Sequence, residues 1–306
     1  LDDGHREEIF ELARRYDVNY LSRPTNKDAK AGNLNYGLKH SNSEYVLTLD
    51  ADQVPERRLL SKTLGHFEDA DNVAMVITRQ SFDVHGKDFN HDYMFYHYMQ
   101  PGKNCQGCAT SCGSGVIYKR SALEEIGGFQ TWDLVEDLYT SYVLNQHGYK
   151  SVYVNKAYTT GLAPQDIKNI YKQRGTWALD SLRIFFKKNP FFVKGLRFLQ
   201  RMHYIEITYH YLISGLFLPI LFLFPKMSLF TNFEVVLSHP LYLPIRLPGL
   251  IAIVLFYAKL NYGHRSNQFW AGLWPVYLKA TFLALLPWKT RYKVTEKIES
   301  EKRRVI

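Results

Sequence analysis

Four groups of residues in this 306-residue sequence carry side chains that could do chemistry. Asp50-Ala51-Asp52 sets two carboxylates two residues apart, directly after the apolar run Tyr45-Val46-Leu47-Thr48-Leu49. Carboxylates at a strand end can share one hard divalent cation, and Mg2+ takes a few carboxylates and completes its shell with phosphate oxygens. A bound diphosphate needs its charge met in that way before it can leave. Asp2-Asp3-Gly4 could hydrogen-bond a base or a ribose, or could form a solvated turn. Glu136-Asp137, ahead of the apolar Leu138-Tyr139, is either an acid pair favoured at a helix N-terminus or a general base for an acceptor hydroxyl. Gln173-Arg174-Gly175-Thr176-Trp177 offers a stacking face for a sugar ring and donors for phosphate, or is an amphipathic helix with a core Trp. Cys105, Cys108 and Cys112 lie within eight residues. They lack a fourth thiolate, so they are a metal site only with His91 or His97, and otherwise reduced thiols in a cytosolic loop.

These groups have to be positioned by alternating elements. Helices are predicted over 5–16, 29–39 and 57–67, and strands over 19–22, 44–50 and 73–78. Strands separated by amphipathic helices predict an α/β sheet with mostly parallel strands. Ligands in such sheets sit beyond the carboxyl ends of the strands. Asp50 and Asp52 fall at such an end, as do Asp2 and Asp3. The opening Leu1-Asp2-Asp3-Gly4 reads as a strand running into a loop, so the expectation is a fragment lacking its first strand or two.

Beyond residue 200 the texture changes. Residues 204–224 and 241–260 are apolar and about as long as a bilayer requires. The flanks carry Lys194, Arg197, Arg201, Lys259 and Arg265, while the connection between the runs carries one Lys and one Glu. The positive-inside rule then predicts a transmembrane hairpin with both flanks in the cytosol. Residues 269–287 are amphipathic and rich in aromatics, which predicts a helix lying in the interface. Buried core helices are the alternative for all three. The net charge of +9 is concentrated beside these apolar runs, which favours a membrane surface over nucleic acid. The expected organisation is a cytosolic domain over 1–200, a hairpin over 201–262 and an interfacial helix with its following loop over 263–306.

Taken in order, the acid pair, the Asp-x-Asp, the Glu-Asp and a Gln-x-x-x-Trp leading into membrane helices form a combination that resembles the processive branch of glycosyltransferase family 2, which includes cellulose, chitin and hyaluronan synthases. Lys30-Ala31-Gly32-Asn33, Cys112-Gly113-Ser114-Gly115, Ile126-Gly127-Gly128-Phe129 and Arg291-Tyr292-Lys293-Val294-Thr295-Glu296-Lys297 extend the resemblance over nearly the whole chain. It implies a GT-A, Rossmann-like nucleotide-sugar domain and an inverting, membrane-bound, multi-pass enzyme with its catalytic domain in the cytosol. Asp2, with Asp3 beside it, would contact the base, and Lys30 would hold the nucleotide. Asp50 and Asp52 would handle the diphosphate and a Mg2+ or Mn2+ ion. Asp137 would be the base. Gln173 and Trp177, with Cys112, Gly113, Ser114 and Glu136, would receive the acceptor. Val294, Thr295 and Lys297 would close over the donor. The family has Arg where this chain has Thr176, so Arg174 or Lys297 would have to grip the diphosphate.

The implied partners are a nucleotide sugar, with UDP the expected nucleotide, a polysaccharide or glycolipid acceptor, membrane lipid and an accessory export subunit; nucleic acid is not among them. Transfer of one sugar to a lipid carrier, or an inactive subunit that binds nucleotide or polymer, are the rival readings.

Overall fold

The computed structural model describes residues 1–287 apart from 70–71, 85–91, 134, 165, 232–238, 260–268 and 270–271. In chain order they form α1 (Glu7–Arg15), α2 (Ala29–Lys39), β1 (Tyr45–Thr48), β2 (Val54–Pro55), α3 (Leu59–Thr63) running into a 3₁₀ turn, and β3 (Val73–Phe82). A π-helical turn (Phe95–Met99) leads into α4 (Gln100–Asn104), followed by β4 (Val116–Lys119), α5 (Arg120–Glu125), α6 (Glu136–Gln146) and β5 (Lys150–Gly161). Then come α7 (Ile167–Lys187), α8 (Phe198–Leu212), a π segment (Ile213–Phe217), α9 (Leu218–Phe230), α10 (His239–Lys259) and α11 (Trp274–Leu285).

The five strands make one sheet in the order β1-β4-β3-β5-β2. It is a mixed sheet, not the mostly parallel one expected. Among the described residues only β3 and β5 pair in parallel, while β1–β4, β3–β4 and β2–β5 are antiparallel. The cause lies in how the chain reaches β4. A parallel neighbour needs a crossover that returns the chain to the starting end. Here a loop runs back along the sheet, from Gly107, whose carbonyl accepts from Ser151 N at the start of β5, to Gly115, whose N–H donates to Thr48 O at the end of β1. β4 therefore starts where β1 finishes and must run against it. The predicted strand over 19–22 makes no ladder; a backbone bond from Asp2 N to Leu21 O (2.9 Å) holds it beside the chain start.

β3 is the centre of the core. Ala74, Met75, Val76 and Ile77 are all fully buried, as a strand covered on both faces must be. Met75 and Ile77 pack with Val116, Tyr118, Leu123, Phe129 and Leu144. Val73 and Val76 pack on the other side with Leu59, Phe67, Ile117 and Tyr158.

A second core joins the later helices to the sheet domain. Ala178, Leu179 and Leu182 of α7 pack against Leu273 and against Tyr277, Ala280 and Ala284 of α11, with Tyr211 and Leu212 of α8 at the edge. Gly215 permits this, because a Cβ there would stand 2.8 Å from the carbonyl carbon of Tyr277. The packing thus crosses the boundaries expected near residues 200 and 262. Residues 198–230 are helical without a break, through the π segment. Taken singly, no helix among the described residues is long and apolar enough to cross a membrane. Large apolar side chains nonetheless face outward from α9 (Ile220, Leu223, Phe230) and α10 (Ile245, Leu250, Val254).

Candidate active site

The antiparallel entry of β4 is what builds the site. It brings the loop 112–115 against the residues that follow β1, and the Asp50 N–H donates to Ser114 Oγ (3.0 Å). Gln80 of β3 fastens the loop from the other side, its Nε2 donating to Cys112 O (3.0 Å) and Ser114 O (3.1 Å), and Tyr96 Oη donates to Gln80 Oε1 in turn. The loop is also tied to α6: Ser111 N donates to Ser141 Oγ (2.8 Å), and Ser141 Oγ donates to Asp137 O (2.8 Å).

Lys30, in the first turn of α2, sits at the junction. Its Nζ donates to Asp50 Oδ1 (2.7 Å) and to Gly113 O (3.0 Å), and lies 3.3 Å from Glu136 Oε1. Burial works against its charge, but Glu136, Asp50 and Asp137 outweigh it and hold its pKa above the ordinary lysine value. Glu136 is only 4% exposed. Asp137 takes a bond from the Leu138 N–H at its Oδ1 (2.6 Å). Burial first, and then the neighbouring Glu136, push its carboxyl up to about 7, against the pull of Lys30.

Gly113 has φ +79°, and a Cβ on it would stand 2.8 Å from Lys30 Nζ and 3.0 Å from Asp137 Oδ2. The left-handed backbone suits glycine, and the absent side chain is what lets cation and carboxylate share the niche. Lys30, Asp50, Gly113, Ser114, Glu136 and Asp137 are thus brought together at one point.

Asp52 is held by the far end of the sheet, its Oδ2 accepting from the Leu162 N–H (3.0 Å) just past β5. Asp50 and Asp52 offer hard carboxylate oxygens, and the Asp50 side chain is 37% exposed. Among the described residues no group of three or more His, Cys, Asp or Glu side chains is placed to hold a metal. That donor set fits a cation which leaves most of its shell to phosphate and water, as Mg2+ does, and does not fit a cage of protein ligands. The three cysteines are free, and one is exposed, one buried and one between. Burial pushes the Cys112 thiol well up, and Cys112 meets the site through its backbone.

Other expectations fare differently. The Asp2 carboxylate is taken up by its own loop: it accepts from Gly4 N, Arg6 N, Arg6 Nε and Nη2, and Tyr20 Oη. The Arg6 bonds hold its pKa well below the usual carboxylate range. Asp3 is gripped by both Nε and Nη2 of Arg23 at 2.6 Å. Arg23 also donates to Ala29 O, so the acid pair braces the start of α2, one residue before Lys30.

On α7, Arg174 is the clearest correction. Its guanidinium pairs with Asp92 through Nη1–Oδ1 (2.8 Å) and Nη2–Oδ2 (2.9 Å) and lies 4.7 Å from the ring centre of Trp177. At 4% exposure it steadies Trp177 and is not presented to a diphosphate. Thr176 donates to Lys172 O inside its own helix (3.0 Å), so it does not replace the missing guanidinium either. Gln173 and Trp177 are half-buried on the same helix. Val294, Thr295 and Lys297 lie outside the described residues.

Two features were not singled out from the sequence. Arg183 pairs with Asp133 at 2.5 Å, fastening α7 to the approach of α6. Asp180 is buried on α7, and the acids it feels include Asp133, Asp137 and Glu136. A lone acid in the apolar run Trp177-Ala178-Leu179-Asp180 was the available signal.

Comparison with known proteins follows this division. The family profile for glycosyl transferase family 2 matches residues 1–127, and that for cellulose synthase matches residues 124–262. The UDP-forming cellulose synthase 1 catalytic subunit of Komagataeibacter xylinus is 32% identical over 97% of this chain and 42% of its own length. The UDP-forming cellulose synthase catalytic subunit of Pseudomonas fluorescens (strain SBW25) is 36% identical over 69% of this chain and 30% of its own. The chain thus spans less than half the length of the curated relatives it matches. Among solved structures, a mannosyltransferase from Pyrobaculum calidifontis in complex with GDP-Man and Mn2+ superposes with a TM-score of 0.64 at 19% identity, over 92% of this chain and 75% of that one. That likeness is one of fold, the GT-A type of α/β domain with a mixed, curled sheet.

Proposed function

Because the chain belongs to glycosyltransferase family 2, in its cellulose synthase branch, we propose that it transfers a sugar from a UDP-sugar to the end of a growing polysaccharide, with inversion at the anomeric carbon. The observation that carries this is the niche around Gly113, where Asp137 and Lys30 meet at one glycine and Lys30 binds Asp50. A carboxyl poised near 7 is suited to general base work at neutral pH. In the reaction Asp137 takes the proton of an acceptor hydroxyl. The hydroxyl oxygen forms the new bond to the anomeric carbon, and the bond from that carbon to the UDP oxygen breaks with its electrons going to UDP. Asp50 and Asp52 would hold a Mg2+ or Mn2+ ion, which when bound neutralises the diphosphate and eases its departure. Lys30 is the cation this site offers in place of the absent α7 guanidinium. Trp177, steadied by Arg174, gives the acceptor ring a flat face.

The membrane part of the proposal rests on the unbroken helix over 198–230 and the outward apolar side chains of α9 and α10. These suit a lipid environment better than water. The hairpin would keep the catalytic domain at the cytosolic face and pass the product outward, a task an accessory subunit could assist. Radiolabelled polymer found only on the side of sealed vesicles that bears the catalytic domain would remove export.

The catalytic core of the reading is tested by Asp137→Asn. Loss of a positioned base costs about 10²–10⁴-fold in rate. UDP release from UDP-glucose is expected to fall by that amount while UDP binding, followed by calorimetry, persists. Near-normal turnover would take Asp137 out of the mechanism.

A further inference from the structure

Asp180 is a carboxyl that the fold buries and leaves unmet. It is 3% exposed, and neither Oδ1 nor Oδ2 has a hydrogen-bond partner. A polar group in that state is costly, and native proteins satisfy nearly all of them. Asn would fill the same volume without a charge to desolvate, so stability does not account for the acid. Its position does. Asp180 follows Trp177 by three residues on α7, which puts the two on one face of the helix. The charges it feels are those of Asp133, Asp137 and Glu136, with Arg183 opposing. Arg183 is itself paired with Asp133 at 2.5 Å. The unmet carboxyl thus lies on the Trp177 face of α7, within electrostatic reach of Asp133 and of the acids that begin α6.

We infer that Asp180 is an acceptor-recognition residue, which binds a hydroxyl of the glucan ring stacked on Trp177 and so sets which neighbouring hydroxyl faces Asp137. The inference rests on the transfer reaction proposed above and adds to it the residue that chooses the linkage. Burial, and then Asp133 and Asp137, push the Asp180 carboxyl up and so favour its neutral form. A neutral carboxyl has one O–H donor and one carbonyl acceptor. It can therefore give a bond to one sugar oxygen and take one from a sugar O–H, without competing with Asp137 for the proton in transit.

The test compares Asp180→Asn and Asp180→Leu in the full chain, with UDP-glucose, Mn2+ and cellotetraose as acceptor. Asn offers the same donor and acceptor pair and is expected to stay within about threefold of the parent in the acceptor KM. Leu removes both bonds and should raise the acceptor KM by about 10–100-fold. The donor KM and the slow release of UDP to water should not change. An unchanged acceptor KM in Asp180→Leu overturns the inference. So does an equal fall in kcat and melting temperature for both variants with KM constant, which marks a structural role. Parent protein that releases UDP but transfers nothing to cellotetraose overturns the glucan assignment while leaving glycosyl transfer standing. Folded parent protein that releases no UDP at all overturns the transfer reading itself, and this inference with it.

Discussion

Replacing Lys30 by Gln removes the charge that holds Asp137 in check. The hypothetical Cβ of Gly113 lies 2.8 Å from Lys30 Nζ and 3.0 Å from Asp137 Oδ2, so the ammonium and the carboxylate are about 6 Å apart at most. At that separation an effective dielectric of about 20 gives an attraction of about 3 kcal/mol, or about two pKa units. The Lys30 side chain is 35% exposed, and solvent screening takes away about half of that. Losing the cation should therefore raise the Asp137 pKa by about one unit, from about 7 to about 8. The sign follows from charge: a cation favours the carboxylate, so its loss favours the acid. Measured as kcat/KM against pH at fixed Mn2+, the acidic limb should move up by about one unit, and the rate at pH 7, taken as a fraction of each enzyme's own plateau, should fall about fivefold, from about a half to about a tenth. Lower donor affinity would reduce the whole profile without moving the limb, which separates the two effects. An acidic limb that stays in place, in a variant that still binds UDP, would refute the claim that Lys30 tunes Asp137.

Stability carries a matching signature. Asp137 rises from 3.8 to about 7 on folding, so the folded protein holds its proton longer than the unfolded chain. Its contribution is present below about pH 4 and lost as pH climbs through about 7. With metal chelated, Asp137→Asn should melt higher than the parent at pH 8 and the same at pH 4; a deficit at pH 8 would contradict the burial argument. Gly113→Ala sets a Cβ against Lys30 and Asp137 at φ +79°, which costs about 1–2 kcal/mol in backbone strain alone. Activity should drop further than the melting temperature does, and a variant with parental kcat would show that the niche has slack. Arg174→Met leaves Asp92 buried without its guanidinium, a change worth about 3–5 kcal/mol. Thermal melts should show it as a large loss, and a parental melting temperature would mean that the pair is not what holds Trp177.

How much of this could be read from residue types varies with the range of the interaction. α2 runs over Ala29–Lys39 as predicted, since a local pattern and a local helix use the same information. Glu136 and Asp137 begin α6, so the helix N-terminus favoured by one reading of the acid pair is where the chain puts it, and that position does not conflict with proton transfer. The direction of β4 could not be read, because it depends on a loop return between residues 107 and 115 that leaves no periodicity. Arg174 was misassigned for a similar reason: its partner Asp92 lies 82 residues away, and an arginine beside a Trp reads equally well as a phosphate donor. Asp2 and Asp3 were placed at a strand end, but Arg6 and Arg23 claim both carboxylates, and nothing in Asp-Asp-Gly announces those arginines. Asp180 shows in the sequence only as a lone acid in an apolar run; that neither of its oxygens has a partner is visible only in the packing.

The shared core of α7 and α11 constrains how this protein can be handled. Cutting the chain near residue 200 to obtain a small soluble enzyme would strip Leu273, Tyr277, Ala280 and Ala284 from the flank of α7. It would also take away the His203 carbonyl that receives the ammonium of the fully buried Lys103 at 2.7 Å. The helix that carries Trp177 would then present a greasy stripe to water, beside a cation with nowhere to go. Expression designs should keep the helical tail attached.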